Sequence, residues 1–196
     1  MSVLLHYLRW SVGLASAETQ TTPTERDALA RWVAGRQCVI EIGVWHGVTT
    51  RRLREAMAAD GVLFAIDPYP VGRLGVSFQQ RIARAEVAAV RNGEVRWVRQ
   101  TGADAARTLA DELRGKVEFA FVDGDHTYDG LAGDWNSWTP LIAPGGIVAL
   151  HDSRPTADRP IHDVGSVRFT AEVIRHDTRF ILAEEVDSLT VLQRVG

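Results

Sequence analysis

Glu41-Ile42-Gly43-Val44-Trp45-His46-Gly47-Val48-Thr49 joins an apolar run, Cys38 to Ile42, to a segment with helical spacing. The run reads as a short buried strand. Leu53, Ala56 and Met57 place an inward face on a helix from about Val48 to Ala59. Gly43 allows a tight turn after the strand, and Gly47 allows the helix to begin close to a ligand. The spacing is Gly-x-x-x-Gly, and Trp45 stands where the glycine that admits a pyrophosphate would be. That disfavours NAD and FAD. Glu41, an acid inside the motif, suits the positive end of a ligand. Asp67 closes the next strand, where a carboxylate accepts hydrogen bonds from a ribose diol. These residues point to a nucleoside ligand; the plainer alternative is two turn glycines beside a paired or solvated acid.

The same alternation extends along the chain. Val62 to Ile66 reads as a strand, followed by a loop, Pro68 to Val76, and a helix marked by Phe78, Ile82, Ala85 and Ala89. A strand at Val95–Val98, a helix over 104–113 and a strand at Val117–Val122 come next. Leu131, Trp135 and Trp138 then share a helical face, and Pro144-Gly145-Gly146 is expected to turn the chain into a strand at Ile147–Leu150. Upstream, Thr22-Pro23-Thr24-Glu25 carries the signals of a capped helix start. Apolar strands alternating with helices imply a parallel sheet covered on both faces. After a helix near 164–175, Phe180–Val186 and Leu189–Val195 are separated only by Asp187-Ser188, which reads as an antiparallel hairpin. The expected fold class is α/β, a Rossmann-like seven-stranded, mostly parallel sheet closed by that hairpin. Residues 1–36 form an N-terminal arm and helix, and 37–196 the ligand-binding domain, within one compact unit.

Composition narrows the chemistry. The chain has 196 residues, enough for a single domain with a sizeable core. Lys116 is the only lysine and Val117 follows it, so the Gly-Lys-Ser/Thr of a P-loop is absent. Cys38 is the only cysteine, which excludes disulfide frameworks and Cys-rich zinc sites. The net charge of −3 offers no basic field for a nucleic acid. No stretch approaches a membrane span, and the expectation is a cytoplasmic protein that engages no membrane. Residues 1–12 read as an apolar helix or arm that packs on the body or on a second copy in a homodimer.

Asp123 and His151-Asp152 close two strands that are neighbours in a parallel sheet, so their side chains converge. Two carboxylates and an imidazole suit a divalent cation, which would stabilise and orient an oxyanion. Each residue also has a plainer reading. Asp123 caps a turn, His151 is a hydrogen-bonded structural histidine, and Asp125 caps the turn that follows it. His46 leans over the ligand or points to solvent, while His6, His162 and His176 read as surface groups. Trp135 and Trp138 read as core, the Pro68–Val76 loop with Tyr69 and Arg73 as a lid, and Arg154–Pro160 as part of an acceptor rim.

The chain resembles the class I S-adenosylmethionine-dependent methyltransferases. The match runs Glu41-x-Gly43-x-x-x-Gly47-x-Thr49, Asp67, Phe121-Val122-Asp123-Gly124-Asp125-His126-Thr127-Tyr128, Leu141-x-x-Pro144-Gly145-Gly146 and His151-Asp152. It is similar in particular to bacterial small-molecule O-methyltransferases of the catechol and macrolide-sugar types. The resemblance implies S-adenosyl-L-methionine as cofactor. Gly43, Gly47 and Thr49 would lie by its methionine part, Glu41 near the amino group, Asp67 on the ribose, and Gly102-Ala103-Asp104 beside the adenine. It also implies Mg2+ or another divalent cation on Asp123, His151 and Asp152, with His151 where relatives usually carry an acid. His126 matches a lysine that acts as base, and Asp123 stands beside it in the catalytic group. The implied activity is O-methylation of a small hydroxylated acceptor. The other readings are a metal-independent or N-methylating enzyme and a non-catalytic nucleoside-binding relative.

Overall fold

The helix-start signals at Thr22 are realised in full. Its hydroxyl accepts the Glu25 N–H, and the Glu25 carboxylate accepts the Thr22 N–H, closing a capping box with Pro23 in the first turn. The computed structural model describes residues 2–72 and 75–196. The helices are α1 (Val3–Ser11), α2 (Pro23–Val33), α3 (Val48–Ala56), α4 (Phe78–Ala88), α5 (Gly102–Leu113), α6 (Tyr128–Trp138) and α7 (Gly165–Glu172). The strands are β1 (Cys38–Ile42), β2 (Val62–Ile66), β3 (Glu94–Val98), β4 (Val117–Val122), β5 (Ile142–Leu150), β6 (Phe180–Val186) and β7 (Leu189–Arg194).

They form one sheet in the order β3-β2-β1-β4-β5-β7-β6. β1 to β5 run parallel, and β7 pairs antiparallel with both β5 and β6. The strand order reverses between β1 and β4, which opens a crevice beyond their C-terminal ends. Both faces of the sheet are covered. Ile40, Ile42, Val122, Trp135 and Trp138 pack on one side, and Val39, Leu53, Leu63, Phe119 and Phe121 on the other. This two-sided burial explains why the central strands read as continuous apolar runs.

Several boundaries differ from expectation; α3 ends at Ala56 rather than Ala59, and two others have a structural reason. Pro144-Gly145-Gly146 does not turn the chain into β5 but lies inside it. The register against β4 shifts between Val117 and Phe119, and Gly145 takes φ +73°. A proline cannot donate to the ladder, so the irregularity falls where Pro144 sits. The helix expected to reach residue 175 ends at Glu172 and is followed by a 3-10 turn, Ile174–His176. Among the described residues no helix is long and apolar enough to cross a membrane.

Gly47 packs closely on the neighbouring helix. It caps α3 at φ +76°, and a Cβ there would lie 2.9 Å from the Ala83 Cα of α4. Gly47→Ala is therefore expected to lower stability by about 2 kcal/mol, from the left-handed backbone and the helix contact together. Urea denaturation checks this; an unchanged midpoint would refute the packing role.

Candidate functional site

A cavity of about 600 Å3 opens at the crevice beyond the C-terminal ends of the parallel strands. Gly43 forms its floor at φ +87°, and a Cβ there would stand 2.0 Å from the Asp123 carbonyl oxygen. Only glycine lets the ends of β1 and β4 meet this closely. Asp67 fixes the turn above. Its Oδ2 accepts the Val44 and Trp45 N–H groups at 3.1 and 3.0 Å, and its Oδ1 accepts the Tyr69 N–H at 2.8 Å. These bonds hold Trp45 at φ +49° in the cavity wall. The carboxylate oxygens keep further lone pairs for a ligand.

At the other end, Asp123, His126, His151 and Asp152 come together as their strand positions imply. His151 Nδ1 lies 2.8 Å from Asp123 Oδ1, and its Nε2 faces Glu25 Oε2 at 3.4 Å. Burial alone would push the imidazole down, but the bonds to Asp123 and Glu25 outweigh it and raise the pKa to about 10. Burial likewise opposes ionisation of Glu25, yet His151 and the Thr22 amide bring its pKa down to about 2. His151 is thus an imidazolium buried between carboxylates. Asp152, at φ +48°, is paired with the Arg159 guanidinium. His126 is half-exposed on the cavity wall, with Nε2 3.6 Å from Asp123 Oδ1 and 4.0 Å from Asp152 Oδ2.

Asp123, His126 and His151 offer ligand atoms within 4.8 Å of one another, as the divalent cation that the resemblance implies would require, but the cluster also carries positive charge of its own. A metal ligand must offer an unprotonated imidazole nitrogen. With no cation present, Asp123 and Glu25 raise the His151 pKa, and the Arg159 guanidinium pairs with Asp152 Oδ2 while Asp152 Oδ1 has no partner. The positive charge that a cation would supply to this cluster is present as His151 and Arg159.

The remaining expected residues divide between cavity and scaffold. Thr49, Asp67, Ala103, Asp123 and His126 line the cavity, whereas Glu41, Gly47 and Asp104 are not among its lining residues. Glu41 is fully buried in β1, with neither oxygen hydrogen-bonded. Burial raises its pKa well above the carboxylate range, and Asp123 and Asp67 add to that. Its carboxyl is therefore held toward the neutral form, and neither oxygen lines the cavity. Asp104 accepts the Thr101 hydroxyl at 2.8 Å in the first turn of α5 and pairs with Arg107. Asp125 accepts the Thr127 N–H at 2.9 Å, the turn-capping role expected of it. Trp135 and Trp138 are core, the latter donating to the Gly102 carbonyl at 2.9 Å. Tyr69 is also core, 1% exposed against Trp97, so it is no part of a lid; Arg73 lies outside the described residues.

Four features were not anticipated. Glu18, Thr19 and Gln20, from the segment between α1 and α2, form part of the cavity wall. Asp134 on α6 also faces the cavity, and its pKa is raised to about 6, chiefly by burial and then by Asp125. A Cβ on Gly102 would sit 2.2 Å from Asp134 Oδ1, which accounts for that glycine. Glu25 is legible as a capping residue, but nothing local shows that its Oε1 accepts the Ser188 hydroxyl at 2.8 Å or that its capping oxygen, Oε2, faces His151. Arg159 has no motif context, and only the folded loop sets it on Asp152.

Known proteins share the fold and much of the sequence pattern. A protein of Mycobacteroides abscessus, described by prediction as an O-methyltransferase, is 31% identical over 155 residues. That alignment covers 76% of this chain and 66% of the relative, so the chain spans just under two thirds of its length. A crystal structure of a Corynebacterium glutamicum protein matches with a TM-score of 0.68 at 20% identity, covering 99% of this chain and 90% of that one. The O-methyltransferase TomG of Streptomyces achromogenes, which is involved in tomaymycin synthesis and was solved with S-adenosylmethionine, matches with a TM-score of 0.63 at 19% identity. It covers 100% of this chain and 91% of TomG. Residues 40–153, from inside β1 to just past His151-Asp152, match the family model described as a methyltransferase domain. The chain belongs to that methyltransferase-domain family.

Proposed function

We propose that the chain transfers the methyl group of S-adenosylmethionine to a hydroxyl of a small molecule, without a divalent cation. The charge of the cavity wall carries the cofactor reading, and the positive charge of His151 and Arg159 beside Asp123 and Asp152 carries the metal-free one. Glu18, Asp67, Asp123, Asp125, Asp129 and Asp134 line the cavity, and no lysine or arginine is among the lining residues. Such a wall attracts a cationic, phosphate-free nucleoside and repels a nucleotide. S-adenosylmethionine meets that description, and when bound it supplies an electrophilic methyl on a positive sulfur. In this reading Asp67 accepts from the ribose hydroxyls, and Asp134 with the start of α5 closes the opposite wall, where an adenine would lie.

The chain's own residues then position the acceptor and take up its proton. His126 presents an imidazole to the cavity, and a hydroxyl within hydrogen-bond reach of it gives up its proton as the oxygen attacks. Asp123 and Asp152 stand 3.6 and 4.0 Å from Nε2, where they stabilise the positive charge that His126 gains. The rest of the acceleration comes from alignment of the two reactants in a half-closed cavity. Fold and cofactor site do not specify the acceptor.

The test is methyl transfer to a panel of phenols, catechols and sugar hydroxyls, run with excess chelator and again with added magnesium. Turnover is expected to stay within about twofold across these conditions, because a bound cation would otherwise contribute several kcal/mol. Activity lost to the chelator and restored by magnesium would overturn the metal-free reading. Cofactor binding without transfer to any acceptor would favour a nucleoside-binding relative.

A further inference from the structure

A second group of ligating side chains lies away from the acidic cluster. His6 on α1, Glu18 after it and His46 in the turn between β1 and α3 each offer one ligand atom, and these lie within 4.8 Å of one another. His6 Nδ1 is 3.3 Å from Glu18 Oε1, and His46 Nδ1 is 3.9 Å from Glu18 Oε2. The His6 and His46 rings stack at 5.0 Å with 8° between their planes, so one ring must turn for both in-plane lone pairs to meet a single ion. Trp45 stacks on the other face of His46 at 4.8 Å and belongs to the cavity wall.

Two details set this group apart from a chance cluster. His6 is 6% exposed, and neither of its ring nitrogens has a hydrogen-bond partner. A buried imidazole without partners is costly unless something else satisfies it. His46 directs its Nδ1 lone pair to the same side, where it accepts the Glu18 N–H at 3.1 Å. Glu18 itself is about half-exposed, so the carboxylate opens the group to solvent.

We propose that His6, Glu18 and His46 form a binding site for a divalent transition-metal ion of the zinc class, which fastens the N-terminal segment to the turn after β1. Two imidazole nitrogens and one carboxylate oxygen are the donors such an ion prefers over magnesium or calcium. A fourth position remains for water on the exposed side of Glu18. Binding exchanges the Glu18 N–H bond at His46 for the metal and satisfies His6. It joins α1 and residues 18–20 covalently, through the ion, to the wall beside Trp45. Of the three ligands only Glu18 also lines the cavity, and metal binding is read without cofactor or acceptor, so the site is tested apart from the proposed methyl transfer.

The full chain, stripped of metal, is titrated with Zn2+ by calorimetry and with Co2+ by its visible absorption, and proteolysis of residues 1–20 is followed with and without Zn2+. One equivalent is expected to bind and to slow cleavage of the segment. Glu18→Gln on the exposed side and His6→Phe, which keeps an aromatic ring in the stack, are each expected to weaken binding at least about tenfold. His126→Ala is expected to leave it unchanged. No binding, binding that survives both variants, binding lost with His126→Ala, or cleavage that Zn2+ does not slow would each overturn the proposal.

Discussion

Replacing His126 with alanine is expected to lower turnover about 10²- to 10⁴-fold, the range that a positioned acid or base contributes. Affinity for S-adenosylmethionine should change by less than about threefold, well under the 1.4 kcal/mol that marks a tenfold change. The split follows from the geometry. His126 lines the cavity beside Asp123, but no hydrogen bond ties its imidazole into the scaffold, and its side chain is 36% exposed. Its backbone carbonyl, which accepts the Ser166 N–H at 2.8 Å, survives the substitution. Folding is thus largely indifferent to the imidazole, whereas proton transfer depends on it. Single-turnover kinetics and calorimetric cofactor binding check both halves. If rate and affinity fall together by similar factors, His126 holds the cofactor rather than the proton. If neither falls, the proton leaves by another route.

The fold was legible because its signals are local. β1, β2 and β4 stand at their expected bounds, and the hairpin follows from two apolar runs with a two-residue turn. Strand order then brings Asp123 to His151, since both end strands that pair in register. What could not be read is the partner each group finds across long loops. Glu25 comes from a helix start 126 positions before His151, and Arg159 from a loop without periodicity. Those two residues decide whether the acidic cluster takes a metal or carries its own positive charge. Glu41 shows the same limit from the other direction. Its place in the motif is that of a charged ligand contact, but strand alternation turns it into the layer of Val39 and Leu53, where burial keeps it neutral. The shortage of lysine also acquires a structural counterpart. Lys116 bonds the Glu112 carbonyl at 2.7 Å before β4, at the end of that strand opposite Asp123, so proton removal near Asp123 is left to a histidine.

Replacing His151 with alanine is expected to destabilise the protein by about 3–5 kcal/mol near neutral pH, the cost of leaving buried charge without its partner. Glu25 is fully buried, and its other oxygen is committed to Ser188, so it cannot turn to solvent. The pH dependence distinguishes this from simple loss of packing. The folded pKa of His151, about 10, lies above its unfolded value of 6.5. Its contribution is therefore complete below pH 6.5 and is lost as pH rises toward 10, because the folded state holds the proton that the unfolded state releases. Glu25 behaves oppositely. Its folded pKa of about 2 lies below 4.5, so its contribution is complete above pH 4.5 and is lost as pH falls toward 2. The pair is at full strength between those limits. Asp134 and Glu41, both raised by burial, lose stabilisation as pH climbs above the carboxylate range, which moves the optimum toward the acid side. Melting temperature should thus be highest in mildly acidic buffer and decline from about pH 6.5 to 9. In His151→Ala that alkaline decline should flatten, so the gap between the two proteins narrows as pH rises. Parallel curves across the range would mean that His151 is neutral in the fold and that the cluster lacks the internal charge that makes a bound cation unnecessary.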